Sequence, residues 1–106
     1  PVDAAAMLAR GEAAAVDVRG HAEWEAGHLP GVPNVPVGYL TARLAELPTD
    51  RPLVVHCQGG ARSAIAAGVL QAHGLTNVVN MAGGYRAWVE AGLPTTRAAG
   101  EPTRAP

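Results

Sequence analysis

The apolar positions of this chain fall in short blocks, cut apart by glycine and proline, that alternate between helical and strand-like periods. Residues 4–10 predict a short helix, capped by Asp3 and stopped at Gly11. Residues 13–18 form an apolar run carrying Val16 and Val18, and predict a strand that closes at Asp17-Val18-Arg19. Residues 21–26 read as one helical turn carrying Trp24 and closed by Gly27. The segment 29–36 holds Pro30, Pro33 and Pro36, so it cannot be helix; it predicts an extended loop with a short edge strand near Val35. Leu40, Leu44 and Leu47 are spaced by four and then three, which predicts a one-sided helix over 39–47 that ends at Pro48.

Beyond the turn at Thr49-Asp50-Arg51-Pro52, residues 53–56 are an apolar run that predicts the central strand. Residues 62–73 predict a helix with Gly74 as its stop, and 77–81 a further strand. Ala82-Gly83-Gly84 then leads into a helix through Tyr85, Trp88 and Val89. Short apolar strands alternating with helices imply an α/β fold, a parallel sheet covered by helices on both faces. After Pro94 the apolar period is lost, so residues 1–94 form the expected domain and 95–106 a flexible tail.

Composition narrows the picture. A length of 106 residues suits one domain with one core. The net charge of −1 supplies no basic field for nucleic acid or for an anionic membrane surface. Phenylalanine is absent, so the core is expected to be built from Val, Leu and Ala, with Trp24 and Trp88 as its bulky members. The single cysteine, Cys57, excludes a disulfide or a Cys-x-x-Cys motif within these residues and fits a reducing compartment. With no long apolar run and no signal-peptide pattern, the expectation is a soluble, cytoplasmic domain. Pro1 stands where an initiator methionine would, which suggests a chain trimmed or cut from something longer.

The candidate chemistry centres on Cys57. It follows the strand Leu53-Val54-Val55-His56 and precedes Gln58-Gly59-Gly60-Ala61-Arg62-Ser63, which opens the next helix. A glycine-rich loop of this kind turns successive N–H groups inward, and the helix N-terminus adds partial positive charge. Both favour a thiolate, the nucleophilic form. A lone buried cysteine is usually inert packing, but its place at the mouth of a parallel sheet, where ligands bind, favours catalysis. The N–H groups of Gln58, Gly59, Gly60, Ala61 and Arg62 form the expected anion cradle, with Gly59 and Gly60 adopting positive φ.

Arg62 has two readings: it points its guanidinium at a bound anion, or it caps loop carbonyls and pairs with an acid such as Asp17. Asp17 and Arg19 read as supporting residues at the active-site edge, with Arg19 pairing to Glu23 across the turn. Tyr85 and Arg86 are placed to rim the pocket, and Trp88 to fill the core. His28 reads as a loop-organising hydrogen bonder, His56 as buried in the strand, and His21 and His73 as surface residues. The four histidines lack ligand-like spacing, so neither a metal nor another cofactor is expected.

Five segments in register resemble a rhodanese-like domain of the single-domain sulfurtransferase type. They are Val16-Asp17-Val18-Arg19; Glu23 with Gly27-His28-Leu29-Pro30-Gly31 and Asn34; Val54-Val55-His56-Cys57 with Gly60, Arg62 and Ser63; Asn77-Val78 with Met81-Ala82-Gly83-Gly84 and Trp88; and Gly92-Leu93-Pro94. The resemblance implies a three-layer fold around a five-stranded parallel sheet, whose first strand is missing here or reduced to a stub. It also implies a Cys57 persulfide as the covalent intermediate. A sulfane-sulfur donor such as thiosulfate or glutathione persulfide would load it, and a thiophilic acceptor such as cyanide, glutathione or a protein thiol would unload it. The run around Cys57 also resembles the rhodanese portion of fusions with a metallo-β-lactamase-like persulfide dioxygenase.

Two rivals share the chemistry or the fold. Cysteine phosphatases and arsenate reductases look like Cys-x5-Arg, whereas four residues separate Cys57 from Arg62 here. One residue adds up to about 3.5 Å of chain, and the shorter loop suits a single sulfur atom better than a tetrahedral oxyanion. A non-catalytic rhodanese-like scaffold or sulfur-relay module is the other, and such modules usually lack the cysteine.

Overall fold

The computed structural model describes residues 1–97. Helix α1 spans Val2–Ala9, strand β1 Ala14–Asp17 and helix α2 His21–Ala26. Strand β2 is Leu53–His56, helix α3 Ala61–Ala72, strand β3 Val78–Asn80 and helix α4 Gly84–Glu90. The three strands are parallel in the order β1-β2-β3, with Asp17 opposite His56 and Val55 opposite Asn80.

Each sheet face receives alternate residues of the two longer strands, as the period of a strand requires. Val16, Leu53 and Val55 face a layer made by Ala66 and Leu70 of α3 together with Val35, Leu40 and Leu47. Ala13, Ala15 and Val54 face Trp88 of α4, Leu29, Val32 and Met81, with Ala4, Ala5, Met7 and Leu8 of α1 packed against them. β2 is buried at all four positions, as expected for a central strand flanked by helices on both faces.

Four local expectations change. The first helix starts at Val2 with Pro1 at its cap position, so Asp3 sits in the first turn and makes no capping bond; its charge still complements the helix N-terminus. Residues 39–47 do not form an α-helix. They form two 3-10 segments, Val37–Tyr39 and Thr41–Glu46, the second kinked at Arg43 (φ −121°, ψ 22°). A short piece between Pro36 and Pro48 nucleates an α-helix poorly, and i→i+3 turns serve in such pieces. Leu40 and Leu47 still reach the core.

The sheet is also smaller than the five strands the resemblance implies. Among the described residues it continues beyond β1 only as one parallel bridge between Asp17 and Asn34, because Pro33 and Pro36 bracket Asn34-Val35 and lack the donors a ladder needs. This is the edge pairing expected near Val35. Finally, the packed chain runs past Pro94: Thr96 pairs with His28 in an antiparallel bridge. The remainder of the expected tail, 98–106, lies outside the described residues.

Candidate active site

Cys57 leaves β2 at the carboxyl end of the sheet and is buried, with 1% of its surface exposed. The next three residues turn the chain so that the Gly60 N–H donates to Sγ at 3.0 Å. Gly60 has φ of +120°, a conformation that L side chains rarely adopt. Gly59 does not share it, so only one of the two loop glycines is required by its backbone angle.

The loop carbonyls are drawn away from the sulfur. The N–H of Tyr85 donates to the Cys57 carbonyl at 2.7 Å, and that of Arg86 to the Gln58 carbonyl at 3.0 Å. The first turn of α4 thus holds the two carbonyls outward while the N–H groups that follow face Sγ. This approach depends on Gly84, with φ of +59°, because a Cβ there would overlap the Cys57 carbonyl oxygen and lie 2.7 Å from that of Gln58.

Ser63 of α3 closes the cradle. Its Oγ lies 3.5 Å from Sγ, 3.1 Å from the Gly60 carbonyl and 2.6 Å from Asn80 Oδ1. A hydroxyl has one proton to donate. Asn80 Oδ1, the Gly60 carbonyl and Sγ all lie within reach of that one proton. Burial pushes the Cys57 thiol up, but the hydroxyl of Ser63 and the N–H groups of Ser63, Gly60 and Gly59 outweigh it, and the thiol sits below the ordinary cysteine range. Ser63→Ala is therefore expected to move the pH midpoint of Cys57 alkylation by iodoacetamide upward. An unchanged midpoint would leave the main-chain groups as the whole cause.

Two ion pairs frame the loop. Arg19 is 3% exposed and clamps the fully buried Asp17, with Nη2 at 2.7 Å from Oδ2. The same guanidinium donates to the Gly27 carbonyl at 2.6 Å and to Gln58 Oε1 at 3.3 Å, and lies over the Tyr85 ring at 4.2 Å from its centroid. Arg19 thereby ties β1 to the end of α2, to the Cys57 loop and to α4. Arg62 bonds the Glu23 carboxylate through both terminal nitrogens, at 2.7 and 3.0 Å. These contacts hold Glu23 at about 2, well below the usual carboxylate range, aided by a bond from the Gly20 N–H.

The expected pairings are corrected accordingly. Arg19 takes Asp17 rather than Glu23, and Arg62 does pair with an acid, which is Glu23 rather than Asp17. Arg86 reaches the loop through its main chain, and its side chain is exposed. Ala61 begins α3 and is exposed, while Gln58 is half-buried under Arg19. Ser63 and Asn80 join the site although sequence reasoning did not assign them to it; the signal for Ser63 was its place one helical turn beyond Gly60.

His28 does organise its loop: Nδ1 lies 2.7 Å from the Trp24 carbonyl and its ring stacks on Trp24. His56 is fully buried, and among the described residues its Nε2 has no hydrogen-bond partner, with Asp17 Oδ2 3.8 Å away. Among the described residues no group of three or more His, Cys, Asp and Glu side chains is placed to hold a metal ion. No helix there is long and apolar enough to cross a membrane.

The geometry agrees with what the chain is similar to. The family model for the Rhodanese-like domain matches residues 1–91. A sulfurtransferase of Allochromatium vinosum is 39% identical over 79 residues, covering 74% of each chain. The human thiosulfate:glutathione sulfurtransferase is 38% identical over 98 residues, covering 79% of this chain and 85% of that one. Other curated relatives are longer: the chain spans 58% of one from Bacillus subtilis and 22% of one from Mycobacterium tuberculosis. Among solved structures, a rhodanese-related protein of Thermoplasma volcanium superposes with a TM-score of 0.79 at 32% identity, covering 89% of this chain and 95% of that one.

Proposed function

This chain belongs to the rhodanese-like domain family, and from that premise we propose that it transfers a sulfane sulfur through a persulfide on Cys57. The observation that carries the reading is the Gly60 N–H held 3.0 Å from Sγ, while the neighbouring carbonyls are turned outward onto α4. Dipoles fixed in this way stabilise a negative sulfur without reorganising at the moment of reaction.

With thiosulfate as donor, the Cys57 thiolate attacks the outer sulfur and a new S–S bond forms. The bond from that sulfur to the sulfonate breaks, and sulfite leaves with its electron pair. The persulfide now carries the negative charge at its outer atom. An acceptor thiolate attacks that atom, the Cys57–sulfur bond breaks, and the thiolate is restored as the acceptor departs as a persulfide. Cyanide takes the same atom as thiocyanate. Gln58, Gly59, Gly60, Ala61 and Arg62 supply the loop, Ser63 and Gly60 the donors on the sulfur, and Asp17 and Arg19 its support. A protein thiol is a further acceptor class that this loop admits.

Phosphoryl chemistry fits less well, because the Arg62 guanidinium that would bind an oxyanion is already engaged by Glu23. A chemistry that needs Cys57 free suits a reducing compartment such as the cytoplasm. Steady-state rates measured with thiosulfate and glutathione, each varied at several fixed levels of the other, test the proposal. Parallel double-reciprocal lines are expected, since sulfite leaves before the acceptor enters. Intersecting lines, or turnover retained in Cys57→Ser, would overturn it.

A further inference from the structure

The charges at the mouth of the Cys57 loop are already balanced. Gln58, Gly59, Gly60 and Ala61 bring none. Arg19 is buried against Asp17. Arg62, whose charge acts on Cys57, is held at both terminal nitrogens by Glu23, and these two side chains are 39% and 40% exposed. The Glu23 carboxylate is itself fixed at the start of α2 by the Gly20 N–H at 3.0 Å. The side chain of Arg86 is exposed to solvent, where water screens it.

A site that attracted a small dianion would leave such an arginine uncompensated. Here that charge is already paired with a carboxylate, while the thiolate itself repels an incoming anion. We infer that Glu23 is a specificity-determining residue, which by engaging Arg62 turns the site away from small dianionic donors. It favours instead donors that carry a single charge on the transferred sulfur and an uncharged carrier behind it. This rests on the sulfurtransferase reading.

The charge arithmetic is testable because two donors of one chemical type differ by one unit. Thiosulfate is a dianion. Benzenethiosulfonate is a monoanion that gives up its outer sulfur in the same way, with benzenesulfinate leaving in place of sulfite. Removing one negative charge near the mouth favours a dianion by twice as much as a monoanion on a logarithmic scale.

The full chain is compared with Glu23→Gln and with Glu23→Gln/Arg62→Gln. The readout is the second-order constant for sulfur uptake by Cys57 with each donor, at low and at high salt. Glutamine keeps an oxygen for the Gly20 N–H, so the start of α2 is retained. In Glu23→Gln the ratio of the thiosulfate to the thiosulfonate constant is expected to rise about three-fold at low salt. The rise should shrink in high salt and be absent in the double variant. A ratio that stays put, with both constants moving together, would make Glu23 a merely structural partner and overturn the inference. A wild-type protein that takes sulfur from neither donor would instead overturn the sulfurtransferase reading, and this inference with it.

Discussion

Asp17→Asn is expected to destabilise the fold by about 3–5 kcal/mol, because it leaves the buried Arg19 guanidinium without its counter-charge. Asp17 is fully buried, and both its oxygens accept from the Arg19 side chain, at 2.7 to 3.0 Å. Asparagine offers one acceptor in place of a charged pair, and its amide group would face the guanidinium. The Gly27 carbonyl and Gln58 Oε1 remain as partners for Arg19, but neither carries charge. Domains of this size hold only about 5–15 kcal/mol in all, so the melting temperature should drop by roughly 15 °C or more. Thermal unfolding followed by circular dichroism measures it. A change below about 1 kcal/mol, the range of an exposed pair, would show that Arg19 is satisfied without Asp17.

The second large effect is expected from Gly84→Ala, which adds one carbon at the point where α4 meets the Cys57 loop. Its Cβ cannot coexist with the Cys57 carbonyl oxygen in its present place, and φ of +59° adds left-handed strain of about 1–2 kcal/mol. Main-chain atoms must therefore move, and the bonds from Tyr85 and Arg86 that hold the loop carbonyls outward move with them. A displacement of about 1 Å at a reacting centre costs on the order of 100-fold in rate. Sulfur uptake by Gly84→Ala should fall by about that factor, measured in a single turnover. Gly83→Ala is the control. It carries a comparable angle, φ of +76°, but its Cβ meets the side chain of Ala87 rather than the loop. It should lower the melting temperature while losing less than about tenfold in uptake. Equal losses in the two variants would mean that α4 contributes only stability.

Much of the fold was legible because its signals are local. The central strand reads directly from a continuous apolar run, and α3 from the glycine-rich loop that opens it and from Gly74 just beyond its end. Cys57 was legible as the candidate nucleophile for the same reason, at a strand end followed by glycine. What escaped depends on distance in the chain. Two acids and two arginines surround the loop, and the turn that follows β1 suggests pairing Arg19 with Glu23 across it. The fold decides otherwise: Arg19 folds back onto Asp17, two residues away, and Glu23 meets an arginine 39 residues further on. Asn80 was invisible, since only the register that sets Val55 beside it brings it to Ser63. The Gly83-Gly84 pair was legible as a motif, but its reason was not. That reason is the close approach of α4 to the main chain of the loop, which no local pattern encodes.

The proposed transfer requires that Cys57 carry the sulfur. Its most direct test is the intact mass of the protein after incubation with thiosulfate, read again after cyanide is added, with Cys57→Ser alongside. A gain of one sulfur atom that cyanide removes as thiocyanate is expected, with no gain in the variant. A gain that survives cyanide, a gain that persists in Cys57→Ser, or no gain from either thiosulfate or glutathione persulfide would contradict the proposed transfer.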